Sequence, residues 1–157
     1  METLHFTIDI NASKQHVWDV MLGDETYRQW TTFFSPGSYY EGSWDKGSTI
    51  RFLGPGENGQ KPGGMVSRIA ENRPYEFISI EHQGLVGDGV DDTTSEWAQA
   101  WSGATENYTF SETDGVTTLD IDLASKAGAV PEAMKQELAG MWPNALAKLK
   151  ELAESDV

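Results

Sequence analysis

The sequence contains no cysteine. This absence excludes disulfide bonds, thiolate nucleophiles and zinc sites with cysteine ligands, and it is typical of proteins from a reducing compartment. The chain also lacks any apolar run near the ~20 residues that span a membrane. Its first residues do not show the basic and then apolar pattern of a secretion signal. We therefore predict a cytoplasmic protein without membrane insertion.

Basic residues are scarce as well. The 157 residues include 11 Lys and Arg against 25 Asp and Glu, which gives a formal net charge of −14. A surface this acidic repels phosphate backbones, so nucleic acid is not an expected partner. Aromatic residues are frequent, with six Trp, six Phe and five Tyr. They favour a packed interior in which some large side chains line a cavity. The length predicts one domain, residues 1–157.

Motifs for catalysis, metals and cofactors are also missing. The three histidines lie far apart and lack the paired spacing of a zinc site. Residues 54–59 match G-x-G-x-x-G, but the Pro/Gly stretch after them cannot open a nucleotide-binding helix, so we expect a hairpin loop. The acids between residues 88 and 96 lack the alternating ligands of a calcium loop. We predict no catalytic residue, no metal site and no cofactor.

The pattern that organises the chain is a long helix over residues 131–154. Pro131 suits the first turn, whereas Pro143 removes a hydrogen bond in the middle of the helix and its ring clashes with the preceding turn. The apolar stripe continues in phase beyond Pro143, which predicts one kinked helix; the alternative is a helix that begins at Pro143. Apolar residues recur at steps of three and four: Met134, Leu138, Met141, Trp142, Ala145, Leu149 and Leu152.

The rest of the chain is mostly predicted as strand. Residues 4–10 alternate between apolar and polar side chains, and two short helices follow, the first capped by Ser13. Turn signals at strand-length intervals then indicate six strands, the last two joined by Asp114-Gly115. The segment 84–105 is long and acidic and leaves room for a short helix. The order β–α–α–β6–α predicts a sheet wrapped around the last helix.

What remains as a candidate site is apolar. We predict that a ligand-binding site lies between the sheet and the last helix, where methionines and aromatic rings adapt to irregular ligands. Filling the core is the alternative role for each of these residues. His82 shares the inward face of its strand with Ile78 and Ile80, where it contacts either a ligand or only the core. The predicted site residues are Trp30, Phe34, Phe52, Met65, His82, Trp97, Trp101, Met134 and Met141, and Phe33 and Trp142 are further candidates.

Motifs along almost the whole chain resemble one family. They are Val17-Trp18 and Tyr27…Trp30 in the two short helices, Trp44-Asp45-Lys46-Gly47-Ser48 before Ile50-Arg51-Phe52, and Gly140-Met141-Trp142-Pro143 before Leu146 and Leu149-Lys150. In this order the sequence resembles the START-like (SRPBCC) superfamily and, within it, homologues of the activator of Hsp90 ATPase. The resemblance implies an α+β helix-grip fold, in which a seven-stranded antiparallel sheet and two short helices surround the last helix and enclose a cavity.

The same resemblance implies three kinds of function. Members of the superfamily carry lipids or other apolar molecules, act as polyketide cyclases, or stimulate the chaperone's ATPase. We predict binding of a small apolar molecule, lipid or polyketide-like. One alternative is a cyclase or dehydratase in which His82, with Glu81, Glu106 or Tyr108, acts as acid or base. The other is a domain that binds a chaperone.

Overall fold

The computed structural model describes residues 2–34, 36–56, 59–125 and 132–155, without the side chains of Glu2 and Trp97. The predicted order of elements is confirmed, with one short strand and one short helix added. The elements are β1 (Glu2–Ile10), α1 (Lys14–Leu22), α2 (Asp24–Trp30), a 3-10 turn (Thr31–Phe33), β2 (Tyr39–Gly42), β3 (Thr49–Gly54), β4 (Gly63–Arg73), β5 (Phe77–Gly87), β6 (Val90–Asp92), α3 (Glu96–Trp101), β7 (Thr105–Thr113), β8 (Val116–Ser125) and α4 (Glu132–Ser155).

All described strands belong to one antiparallel sheet. Seven of them follow the order β1-β8-β7-β5-β4-β3-β2, and the three-residue β6 pairs with the end of β5 as an eighth. The first strand of the chain therefore pairs with the last one. With α1, α2 and α4 packed against this sheet, the predicted α+β helix-grip fold is confirmed.

Helix α4 is continuous through its proline. It runs from Glu132 to Ser155 with Pro143 inside, so the alternative of a helix that begins at Pro143 is wrong. Pro131, the predicted first-turn residue, lies outside the described residues. Near Pro143, the side-chain amide of Asn144 donates a hydrogen bond to the carbonyl of Gly140 at 3.2 Å. The buried side chains of the helix are Trp142, Ala145, Leu146, Leu149 and Ala153.

Short-range sequence signals explain where several elements begin. Ser13 Oγ accepts a hydrogen bond from the backbone N–H of His16 at 3.2 Å, which confirms the predicted cap of α1. Asp114 and Gly115 have φ angles of 53° and 80°. Positive φ at both positions is what a two-residue hairpin turn of type I′ requires. At the β3–β4 connection no helix follows the glycine-rich loop, because β4 begins at Gly63 and pairs with β3.

The acidic segment contains more regular structure than predicted. Strand β5 continues to Gly87, β6 follows, and the predicted short helix is confirmed as α3. The Arg51 guanidinium holds the Asp91 carboxylate at 3.0 and 2.6 Å, which ties β3 to β6. Helix α3 packs against β5, and the backbone N–H of His82 donates to the carbonyl of Ala104 at 2.8 Å. These contacts fix one border of the space described below. Within the described residues, no helix has both the length and the apolar character needed to cross a membrane.

Candidate functional site

Aromatic rings from α2, the end of the 3-10 turn, β3 and α4 meet between the sheet and α4; the ring at the end of the turn is that of its C-cap residue, Phe34. The centre of the Trp142 ring lies 4.9 Å from that of Phe34 and 6.1 Å from that of Trp30. Tyr27 connects this group to β3, since its ring centre lies 6.2 Å from that of Phe52. The Trp30 indole N–H donates to the carbonyl of Met21 at 3.0 Å, so this ring is held in one orientation. The rings form a fixed apolar wall.

This wall borders a cavity of about 500 Å³, called here the larger cavity. A volume of ~300–1,000 Å³ is typical of small-molecule sites. The β3–β4 hairpin and the end of β5 form its far side. Its charged lining residues are Lys61, Asp88 and Glu106, and its apolar lining includes Tyr27, Trp30, Phe34, Phe52, Leu53, Met65, Leu138, Met141 and Trp142.

A second space of about 190 Å³, the smaller cavity, lies beside it. Side chains from β1, β5, α3 and β8 line it, among them Leu4, His82, Trp101 and Leu123. The two cavities share four lining residues, and these form the boundary between them: Met65, Glu106, Leu138 and Trp142.

Four polar side chains form a connected cluster at this boundary, the polar cluster: Ser67, His82, Glu106 and Tyr108. His82 Nε2 lies 2.9 Å from Glu106 Oε1, and His82 Nδ1 lies 2.7 Å from Ser67 Oγ. The Tyr108 hydroxyl donates to Glu106 Oε2 at 2.7 Å. The sheet brings these groups together, because Ser67 on β4 pairs with His82 on β5 and β7 carries both Glu106 and Tyr108.

The fold keeps the Glu106 carboxyl ionised. Burial alone would raise its pKa, but the hydrogen bond and charge of His82 and the hydrogen bond from Tyr108 together lower that pKa below the ordinary 4.5. Burial and the nearby Glu106 charge raise the pKa of the Tyr108 hydroxyl, and the same two causes raise the pKa of Tyr27. Near neutral pH the lining of the larger cavity therefore includes the Glu106 carboxylate and the phenolic O–H groups of Tyr27 and Tyr108.

The polar cluster contains a serine, a histidine and a glutamate in contact, but it does not present a nucleophile. Ser67 is fully buried and lines neither cavity. A nucleophile must reach the substrate, so this serine can only orient His82. Glu106 borders both cavities, Tyr108 the larger one and His82 the smaller one. These three groups can hydrogen-bond a ligand or exchange a proton with it. Among the described residues, no three His, Asp or Glu side chains are grouped so as to hold a metal ion.

The structure brings most of the predicted site residues to the two cavities. Trp30, Phe34, Phe52, Met65 and Met141 line the larger cavity, and Met65, His82 and Trp101 line the smaller one. The described part of the structure does not place the remaining candidates Met134, Phe33 and Trp97 at either cavity. Met134 lines neither cavity. Phe33 is 45% exposed. Trp97 belongs to α3, but its side chain lies outside the described part of the chain.

Tyr27, Leu138, Glu106 and Tyr108 are among the residues that line the cavities but were absent from the predicted apolar site. A signal existed for the last two. Glu106, Tyr108 and Phe110 alternate on β7, so Glu106 is an acid at an inward position of a strand. Glu81, named with them for the enzyme alternative, lies elsewhere. It forms an ion pair with Arg68 at 3.3 Å and lines neither cavity.

Solved structures share this architecture at low sequence identity. Protein NE0264 from Nitrosomonas europaea is 14% identical with a TM-score of 0.73, over 99% of this chain and 96% of that one. The Aha1 dimer from Colwellia psychrerythraea is 16% identical with a TM-score of 0.69, over 98% and 97%. CalU16 from Micromonospora echinospora is 17% identical with a TM-score of 0.64, over 99% and 67%. Likeness at these identities establishes the fold.

Sequence comparison gives a more specific result. A search of curated proteins found no significant match. The profile of one family, described as "Activator of Hsp90 ATPase homolog 1-like protein", matches residues 11–154. This agrees with the resemblance drawn from the motifs in α1, α2, β3 and α4. Because the match spans most of its length, the chain belongs to the activator of Hsp90 ATPase homolog 1-like family.

Proposed function

We propose that the chain binds a small, mainly apolar molecule in the larger cavity. The observation that carries this proposal is a space of about 500 Å³ bordered by aromatic and methionine side chains, whose charged lining residues are Lys61, Asp88 and Glu106. Removing apolar ligand surface from water supplies roughly 25 cal/mol per Å². The rings of Trp30, Phe34 and Trp142 already contact one another, so binding does not require this wall to be ordered first.

A retained ligand is the direct test of this proposal. Native mass spectrometry of the protein purified from its own host should show a bound small molecule, which identifies the ligand. A broad set of fatty acids, flavonoids and polyketide-like compounds should then be screened by methionine methyl NMR. Binding in the larger cavity should shift the methyl signal of Met141, which lines it, and leave that of Met134, which does not. If no compound shifts Met141, the cavity is packed core and the proposal is wrong.

A second candidate is an enzyme that uses acid–base chemistry. The observation in its favour is that Glu106 and Tyr108 border the larger cavity while His82 contacts the same carboxylate. A carboxylate and a phenol at one wall can take and return a proton, as a cyclase or dehydratase requires. The test is to incubate the protein with a poly-β-ketone and to detect loss of water by mass spectrometry. Turnover that persists in Glu106→Gln would contradict this role.

The family takes its name from an activator of the Hsp90 ATPase. The corresponding function for this chain is binding to a chaperone of that class. Its test is the ATPase rate of the purified chaperone with increasing amounts of this protein. A variant that fills the cavity separates this function from ligand binding, because a chaperone-binding surface does not require an empty cavity.

A further inference from the structure

Tyr27 brings a hydroxyl group to the larger cavity. Tyr27 is only 9% exposed, and its ring is held between those of Tyr40 and Trp30 at 5.0 and 5.4 Å. Its side chain lines the larger cavity. No hydrogen bond of this hydroxyl is found among the described residues; burial and nearby charge alone raise its pKa. A ligand that fills the cavity takes water away from this hydroxyl, and a donor that is then buried and unpaired is costly, so a ligand that accepts from it binds more tightly.

Glu106 supplies unused acceptor capacity at the same wall. Each of its carboxylate oxygens has one contact, to His82 and to Tyr108. A carboxylate has about four acceptor positions, so about two stay available. Its side chain is 19% exposed and lines the larger cavity. Phe52 neighbours both groups, since its ring centre lies 6.2 Å from that of Tyr27 and 6.5 Å from that of His82, whose Nε2 contacts Glu106 at 2.9 Å.

We propose that the larger cavity selects apolar molecules that carry one neutral hydroxyl group, an alcohol or a phenol. The ligand oxygen accepts a hydrogen bond from the Tyr27 hydroxyl, and the ligand O–H donates to Glu106. This inference deepens the proposed function and depends on it.

Other polar groups fit this pair less well. A ketone can accept from Tyr27 but offers nothing to Glu106. An ammonium group can donate to Glu106 but leaves Tyr27 unpaired. A carboxylate, such as that of a fatty acid, places a second negative charge beside Glu106 in a partly buried site. A hydroxyl group is both donor and acceptor without charge, so it alone among these satisfies both residues.

A matched pair of fluorescent probes tests the inference. Hydroxypyrene and methylpyrene share one ring system and differ by a hydroxyl in place of a methyl group. Fluorescence titration of the full chain should show that hydroxypyrene binds about tenfold more tightly than methylpyrene, because hydroxypyrene alone can donate a hydrogen bond to the Glu106 carboxylate. Naphthol and methylnaphthalene repeat the comparison on a smaller ring system. The same preference in this pair would show that ligand size does not cause the difference in affinity.

Variants assign the preference to the two residues. Tyr27→Phe should reduce the preference for hydroxypyrene several-fold and leave the affinity for methylpyrene nearly unchanged. Glu106→Gln should also reduce the preference. Tyr40→Phe is the matched control, since the Tyr40 hydroxyl donates to the carbonyl of Leu22 at 2.7 Å and lies outside the cavity lining. This control should keep the wild-type preference.

The outcomes separate this inference from the proposal on which it rests. Equal affinity for hydroxyl and methyl probes in the wild-type protein would overturn the hydroxyl site and leave apolar binding intact. A preference that survives in both Tyr27→Phe and Glu106→Gln would also overturn it. If none of the four probes binds, apolar binding in the cavity is wrong, and the hydroxyl site is wrong with it.

Discussion

At the scale of single residues, Glu106 is the group whose charge the fold controls most directly. His82 and Tyr108 contact its two oxygens and, against the effect of burial, lower its pKa below 4.5. A carboxyl whose pKa is lower in the folded state stabilises the fold above its unfolded pKa. That contribution is lost as the pH falls through the folded pKa. The polar cluster should therefore stabilise the protein at neutral pH and less so in acid.

Glu106→Gln tests this pH dependence. At about pH 7 the free energy of unfolding should fall by roughly 1–3 kcal/mol, because the amide keeps the shape but loses the charge that His82 and Tyr108 contact. The difference from wild type should shrink as the pH falls below 4.5, the ordinary pKa of the group. Urea unfolding across this pH range is the measurement. Glu81→Gln, in the exposed ion pair with Arg68, should have little effect. A loss from Glu106→Gln that does not change with pH would contradict the charged state assigned here.

Trp142 is one of the four side chains that lie at the boundary between the two cavities. It is 3% exposed and contacts the rings of Phe6, Trp30, Phe34 and Tyr108. Trp142→Ala should lower the free energy of unfolding by roughly 3–5 kcal/mol, since it removes a large ring and joins two existing spaces.

Chemical denaturation measures this loss, and Phe33→Ala is its control. Phe33 is 45% exposed, so the same change from ring to methyl should stay within about 0.5 kcal/mol. A loss under about 1 kcal/mol for Trp142→Ala would mean that this ring behaves as a cavity surface and contributes little to the core.

At the scale of elements, the continuity of α4 through Pro143 is the feature with a geometric consequence. Pro143 cannot donate a hydrogen bond to the preceding turn, and its ring crowds that turn. We expect the axes of the two halves of α4 to differ by more than ~20°. Residual dipolar couplings of the amides along Glu132–Ser155 measure the angle. In Pro143→Ala the angle should decrease, and a straight wild-type helix would contradict the expectation.

Met141 and Met134 lie on the same helix but differ in their relation to the larger cavity. Met141 lines it and Met134 does not. Met141→Trp should therefore take up part of the space and weaken hydroxypyrene binding. Met134→Trp should leave binding intact. Fluorescence titration gives the affinities and circular dichroism confirms that the sheet is retained. Undiminished binding in Met141→Trp would place the ligand elsewhere.

Elements specified by short-range signals could be predicted from the sequence. Ser13 caps α1, and Asp114-Gly115 forms the turn between β7 and β8. Both features were predictable because each depends only on adjacent residues. The stripe on α4 and the resemblance to the family then predicted the arrangement of the sheet around the helix. Trp30 and Phe52 were placed at the cavity by the same reasoning.

The polar cluster could not be predicted as a unit, because it depends on pairing between distant strands. The register of β4 and β5 shifts between Val66 and Ser67, and this irregularity sets Ser67 opposite His82. Glu106 reaches His82 only because β7 lies next to β5 in the sheet. A shift of one residue would turn a side chain to the other face, and no local pattern fixes that register. Pairing across strands thus determines the chemistry of the site.

At the scale of the whole molecule, the net charge of −14 should affect charged ligands and not neutral ones. Binding of hydroxypyrene should change less than about twofold between low salt and about 0.5 M NaCl, since no charged group of the ligand is involved. An anionic pyrene carboxylate should bind more weakly, and its affinity should rise with salt as the repulsion is screened. A steep salt dependence for hydroxypyrene would contradict a neutral ligand.

The pairing of β1 with β8 also determines when the molecule can fold. Thr117 on β8 donates its hydroxyl hydrogen bond to the carbonyl of Ala12, just after β1, across 105 residues of sequence. Folds dominated by such distant contacts form slowly, in milliseconds to seconds, because a long loop must close before the contact is made.

During synthesis on the ribosome, β1 must wait still longer for its partner strand. At ~5–20 residues per second, synthesis needs roughly 5–20 s to reach β8 after β1 has emerged. During that time the apolar side of β1, which includes Phe6, Ile8 and Ile10, has no partner strand. An unpaired apolar strand is prone to aggregate. In a circular permutant that begins at β7, β8 and α4 are made before β1. This permutant should therefore refold faster and yield more protein from the same expression than the natural order.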